Sequence, residues 1–150
     1  MANYICAVRT NYFHVKDEEE FRNFAKKLYS NDNDLEVWEE KDKEGKTVFG
    51  FGCCSELSGI HADSENGDIE DSIEGDEGAY DRFVDEIQKL VAEDDAVIIY
   101  EIGREKLCYL NGLATVITAK EQKYLDISDF AVEQARKMLG NKEWETNSNY

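Results

Sequence analysis

The sequence predicts an α+β fold: a largely antiparallel sheet with about three helices, in the order β-α-β-β-loop-α-β-β-(β)-α. Three observations carry that expectation. Apolar runs at 35–42 and 47–54, and again at 96–102 and 106–118, are separated by short polar turns, so hairpins dominate. Three further segments repeat their apolar residues at helical spacing. The 150 residues fit a single domain, 1–150, and an aromatic content of 11% supplies a core that a disordered chain would lack.

Tyr4 to Thr10 is short and largely apolar and reads as a first strand near the centre of the sheet. Asp17, with Glu20 three residues on, forms a capping box for a first helix. Phe21, Phe24, Ala25, Leu28 and Tyr29 follow as one stripe, and Lys26 and Lys27 suit the negative end of the helix dipole. The first hairpin turns at Lys43-Glu44-Gly45-Lys46. Gly50 and Gly52 alternate with Phe49, Phe51 and Cys53 in its returning strand, which marks a bulge or a close backbone approach there. Ser55 to Gly78 holds four glycines and no base, and reads as an acidic insertion at 55–78 without periodic structure.

Tyr80, Phe83, Val84, Ile87, Leu90 and Val91 mark a second helix. The strand from Ala96 is expected to turn through Gly103-Arg104-Glu105 into a long strand, Lys106 to Thr118, with a bulge at Gly112. Tyr124 to Ile127 adds a short strand. Ser128 or Asp129 caps a last helix with Phe130, Ala131, Ala135, Met138 and Leu139 inward, ended by Gly140. The helices are expected on one face of the sheet.

The charge is localised. Residues 56–95 hold fifteen acids against Arg82 and Lys89, a net of −13, whereas the whole chain carries −17. A field of that sign attracts basic surfaces and repels nucleic acid. The candidate partner-binding residues are therefore Asp63, Glu65, Asp68, Glu70, Asp71, Glu74, Asp76 and Glu77 in the insertion, and Asp81, Asp85, Glu86 and Glu93 along the second helix.

Several chemistries lose support. A calcium loop with Gly67 at its sixth position has Ala62 and Ile73 where ligands belong, and with Gly75 there Glu77 replaces the aliphatic eighth residue. No Cys-x-x-Cys or His-x-x-x-His spacing supports zinc, and His14 reads as a strand or turn residue. A Cys53 or Cys54 nucleophile working with His61 would sit among carboxylates that raise its pKa. Any of thirty-four acids could serve a glycosidase, so their number selects none. Arg9, Arg22, Arg82, Arg104 and Arg136 are dispersed, which disfavours direct nucleic-acid binding. Salt adaptation would spread the acids and deplete lysine, yet twelve lysines remain. No catalytic residue, cofactor or metal is expected.

In small size, strong acidity and bunched charge, the chain resembles the phage- and plasmid-encoded anti-restriction and anti-CRISPR proteins that imitate DNA. Those proteins share no motif, so the resemblance carries over no functional residue. It implies an inhibitor that occupies the basic nucleic-acid-binding surface of a defence nuclease, either a restriction enzyme or a CRISPR effector, in the cytoplasm of a bacterial host. The start, Met1-Ala-Asn-Tyr-Ile-Cys, has no signal-peptide pattern, and the longest apolar run is too short to span a bilayer. Cys6, Cys53, Cys54 and Cys108 are then expected to be reduced. The competing expectation is a non-catalytic intracellular binding module with a solvated acidic loop. Its ligand would be a protein, or a small molecule near Gly50 and Gly52 or at Tyr12, Phe13 and Trp38. The long strand from Lys106 offers a pairing edge for a homodimer.

Overall fold

A computed structural model describes residues 4–61, 78–107 and 109–146. Over these residues the chain runs β1 (Ile5–Thr10), α1 (Glu18–Ala25), β2 (Leu28–Ser30), β3 (Glu36–Lys41), β4 (Thr47–Cys53), β5 (Leu57–Ile60) and α2 (Ala79–Leu90). It continues through β6 (Val97–Glu105), β7 (Tyr109–Ile117), β8 (Gln122–Asp126) and α3 (Ile127–Leu139). Six strands form one sheet in the order β3-β4-β1-β6-β7-β8, with every neighbouring pair antiparallel. β2 and β5 form a small separate antiparallel pair. The class is α+β, and the element order follows the sequence expectation with β2 and β5 added.

The first strand is central, as expected. β1 pairs with β4 on one side and β6 on the other, and its period-2 pattern turns Cys6, Val8 and Thr10 inward. Phe49, Phe51 and Cys53 of β4 and Val97 and Ile99 of β6 share that front face. α1 and α2 lie over it, α1 through Phe21 and Phe24 and α2 through Phe83, Val84, Ile87 and Leu90. The Asp17 carboxylate accepts from the Glu20 backbone N–H at 3.1 Å, so the predicted cap of α1 is made.

Five local expectations are corrected. The stripe through Leu28 and Tyr29 is not helical to its end. Lys27 N–H bonds to Phe24 O, tightening the last turn, and Leu28 enters β2 opposite Ile60. Leu28 is buried either way, so its hydrophobicity does not distinguish the two outcomes. Residues 57–60 of the insertion form β5, whose Gly59 has φ +128° and backs directly onto the Ala79 carbonyl at the start of α2. Residues 62–77 lie outside the described residues. The second hairpin turns not at Gly103-Arg104-Glu105 but after Glu105, where Lys106 takes φ 50°. β7 also carries no bulge, since Gly112 pairs in register with Ile102. β7 is bonded to β6 along its length but to β8 only from Leu113 to Ile117, so the pairing edge expected along the whole strand is reduced to residues 109–112, and the outermost strands of the sheet are β3 and β8.

The largest correction is α3. Its N-cap is Asp126, which accepts from Ser128 N–H at 2.8 Å, and Gly140 ends it with φ +63°. A Cβ at Gly112 would lie 2.7 Å from Ile127 Cγ2, so the start of α3 sits on Gly112. Gly112 shares a side of the sheet with Ile102, one residue out of phase with the buried Val97 and Ile99. α3 is therefore on the rear face, opposite α1 and α2. None of its thirteen residues is buried, and the expected inward Phe130, Ala131, Met138 and Leu139 are exposed.

Phe83 is fully buried and meets Phe24, Phe51 and Tyr80. Phe83→Ala is expected to lower the free energy of unfolding by about 3–5 kcal/mol. Urea denaturation checks this, and a loss under about 1 kcal/mol would mean that α2 is not held by this ring.

Candidate functional site

Among the twelve acids singled out from sequence, the structure places four. Asp81, Asp85 and Glu86 project from the solvent face of α2, because Phe83, Val84, Ile87 and Leu90 claim the other face. Glu93 follows just beyond the helix and is exposed. Asp63, Glu65, Asp68, Glu70, Asp71, Glu74, Asp76 and Glu77 lie outside the described residues. The α2 surface is not purely negative. Glu86 meets Lys89 at 3.4 Å and Glu93 meets Lys16 at 3.0 Å, exposed pairs that salt would screen. A groove between α1 and α2 also brings Lys27, Arg82 and Lys89 beside Glu20, Asp85 and Glu86.

Sequence reasoning missed a polar clamp. His14 Nδ1 lies 2.7 Å from Asp95 Oδ2, and His14 Nε2 lies 2.7 Å from Asp42 Oδ2. The His14 backbone N–H also donates to Asp95 at 2.8 Å. Asp42 accepts further from the Glu44 and Lys46 backbone N–H groups in the β3–β4 turn, and Asp95 from Ala96 N–H. Three segments distant in sequence are thereby fastened through one imidazole. Hydrogen bonding to Asp42, then to Asp95, raises the His14 pKa, and the His14 bond lowers that of Asp42. Burial works the other way on Asp95, but the His14 and Ala96 hydrogen bonds outweigh it and hold the carboxyl below its ordinary value. When His14 is protonated, both ring nitrogens donate to carboxylates and the imidazolium has no lone pair for a metal or for general-base work. The partners are 28 and 81 positions away, so no local spacing announces them.

Asp34 is a second fastening point. It accepts from Ser55 Oγ and Ser30 Oγ, both at 2.7 Å, and from Cys54 N–H. The Ser55 bond, then that of Ser30, holds its pKa below the ordinary range. Burial pushes the Cys6 thiol up to about 11, with Glu101 adding to it, and burial raises Cys53 as well. Thiols held protonated are poor nucleophiles at neutral pH. Cys53 is buried at the end of β4, and Cys54, just past the strand, is exposed.

On the front of β6 and β7 a small cleft brings together Glu101, Tyr80, Leu113, Thr115 and Tyr124. Tyr4 donates to Glu101 at 3.0 Å and accepts from Asn111 at 3.1 Å. Burial raises the pKa of Tyr4, Tyr80 and Tyr124 alike, so these phenols serve as neutral hydrogen-bonding groups. The space beside Gly50 and Gly52 is filled by the chain itself. A Cβ at Gly52 would meet Val8 O at 2.7 Å, Tyr12 lies against Gly50, and Arg9 stacks over Trp38 at 5.0 Å. Phe13 is wholly buried in the core and unavailable to a ligand.

Among the described residues no group of three or more His, Cys, Asp or Glu is placed to hold a metal ion, and no helix is long and apolar enough to cross a membrane. No protein-family model, curated protein or solved structure matches the chain.

The clamp gives a pH dependence of stability. His14 is raised above its ordinary 6.5, so its contribution is fully present below that value and is lost as pH rises through the raised folded value. Asp42 and Asp95 are lowered from 3.8, so theirs is present above that value and lost as pH falls through the lowered folded values. Unfolding free energy measured between about pH 5 and pH 9 should therefore fall on the alkaline side. His14→Gln should flatten that fall, and an unchanged slope would show that the clamp does not form.

Proposed function

We propose that the chain is a non-catalytic binding protein that offers its acidic surface to a basic nucleic-acid-binding surface, as an inhibitor imitating the charge of DNA. The partner class is a bacterial defence nuclease, a restriction enzyme or a CRISPR effector. The observation that carries this reading is charge segregation. Residues 1–95 hold twenty-six acids against ten bases, a net of −16, and residues 96–150 hold eight against seven, a net of −1. Composition alone would spread the excess evenly along the chain.

Physical argument supports the pairing. Carboxylates one helical turn apart, as Asp81 and Asp85 are, have Cβ atoms about 5–6 Å apart, of the order of phosphate spacing along a strand. A field of one sign steers a basic partner and makes the encounter salt-sensitive. The groups with shifted pKa values support it differently. His14, Asp34, Asp42 and Asp95 are engaged in fastening the fold, and Cys6 and Cys53 are held protonated, so none of them is set up as a nucleophile or base. The interleaving of Lys89 and Arg82 with the α2 acids favours the second reading, a binding module whose acids are only solvated.

Two charge-neutral variants separate the readings. One carries Asp81→Asn, Asp85→Asn, Glu86→Gln and Glu93→Gln. The other converts the eight insertion acids, from Asp63 to Glu77, to their amides. Each is assayed for protection of duplex DNA against a panel of restriction enzymes and CRISPR effectors. Inhibition by the native chain, weakened on the order of tenfold or more in at least one variant and most strongly at low salt, is the expected outcome. A native chain that protects DNA from none of them, or inhibition indifferent to both variants, defeats the proposal.

A further inference from the structure

The rear of the sheet carries an apolar patch across β1, β6, β7 and β8, bordered by Arg104 and Lys123, and little of it is covered. Parity places Tyr100 and Ile102 of β6 there, beside Ile5 of β1, Leu110 of β7 and Leu125 of β8. These five are 41–69% exposed. α3 buries little of itself against this face. Ile127 is seated over Gly112, but no residue of the helix is buried, and Phe130, Met138 and Leu139 are 61%, 87% and 60% exposed. Ile127, Phe130, Ala131, Ala135 and Met138 recur at helical spacing as one apolar stripe.

A helix of this length is marginal without tertiary packing, because helical stability in proteins comes mainly from burying an amphipathic face. This one has its stripe formed, capped at both ends and largely uncovered, with only Ala135 half-buried, next to a sheet patch that is also largely uncovered. The two surfaces match in chemistry and belong to one chain. In a single copy Ile127 is seated over Gly112 while Phe130 and Met138 stay exposed. Two copies can cover each other's stripe reciprocally.

We propose that the protein is a homodimer paired rear face to rear face, with α3 of each copy lying across β6 and β7 of the other about a two-fold axis. Such an interface is isologous and closes on itself. The exposed parts of the nine large apolar side chains amount to roughly 1,000 Å² per copy, against the roughly 800 Å² per partner of a standard stable interface. Charge selects the occupant. The segment forming most of this surface, residues 96–150, is nearly neutral at −1, while the rest of the chain carries −16. Of the two segments it is the one through which two copies approach with less repulsion, and it offers little attraction to a basic partner. The chain's own residues 62–77 are unsuited to cover it, with eight acids and two isoleucines. The inference does not depend on the proposed inhibitor role, because it concerns the opposite face.

Sedimentation velocity on the full chain tests this, beside Met138→Glu on the stripe and Ile102→Lys on the sheet. Both positions are more than two-thirds exposed in one copy, so neither substitution disturbs its core. The native chain should sediment at twice its 17.2 kDa mass. Each variant should raise the dissociation constant at least about tenfold while keeping the native circular dichroism. A monomeric native chain up to about 100 μM overturns the proposal whatever the variants do. A dimer weakened by neither variant, or only by the sheet variant, overturns the placement of α3. A ladder of larger oligomers overturns two-fold closure.

Discussion

The fold depends on one chain of phenyl contacts. Phe49 and Phe51 rise from β4, Phe21 and Phe24 descend from α1, Phe83 from α2, and Phe13 comes from the connection after β1. Phe21 meets Phe13, Phe24 and Phe49, and Phe83 closes the circuit to Phe24 and Phe51. Several of these pairs meet edge to face, the geometry that the ring quadrupoles favour. Sheet and both front helices are thus locked by a single residue type. The seventh phenylalanine, Phe130, is on α3 and lies open to solvent. That division separates what the chain completes alone from what it leaves uncovered.

The phenyl core also makes the charge tolerable. The segment 1–95 carries a net −16, and self-repulsion of that order opposes a compact state. Exposed ion pairs such as Arg22 with Glu19 and Glu39 contribute little against it. Directed hydrogen bonding does more at particular places. Asp34, Asp42 and Asp95 are acids whose charge is used, each accepting from two or more donors that join separate segments. Acids without such partners, Asp81 and Asp85 among them, are left on the surface where water solvates them. The acidity therefore has a structural part and a displayed part, and only the displayed part is available to another molecule.

The sequence was legible wherever one period explained the burial. The β3–β4 hairpin, central β1 and α2 each have an apolar pattern with a single reading, and each formed as expected. Leu28 fits a helical stripe and a buried strand equally well, so the end of α1 was not legible. β5 hid because Ser58 and Gly59 do not look like strand residues, and its pairing with β2 is decided in three dimensions. Gly112 reads as a bulge from sequence but is a seat for Ile127, since glycine marks close approach without saying what approaches. The His14 clamp was invisible for another reason: its parts meet only after the chain has folded. The eight insertion acids from Asp63 to Glu77 fall outside the described residues, so of that set only the α2 acids and Glu93 gain positions.

The misplacement of α3 has the most physical content. Its periodicity said correctly that one side of the helix is apolar, and the inference that this side faces inward assumed that the covering surface lies in the same copy. Amphipathicity specifies that a face is to be buried, not against which molecule. Where every other stripe in the chain finds its cover locally and one does not, the exception carries information about assembly. The two halves of the charge distribution point the same way. Repulsion opposes close self-association through the surfaces of residues 1–95 more than through 96–150, where most of the exposed large apolar residues lie. Pairing through the rear would leave the acids of α2 on both copies turned outward, on opposite sides of a two-fold assembly. A partner with two basic surfaces would then meet a bivalent ligand, in which the second contact is intramolecular and geometry decides whether it can form.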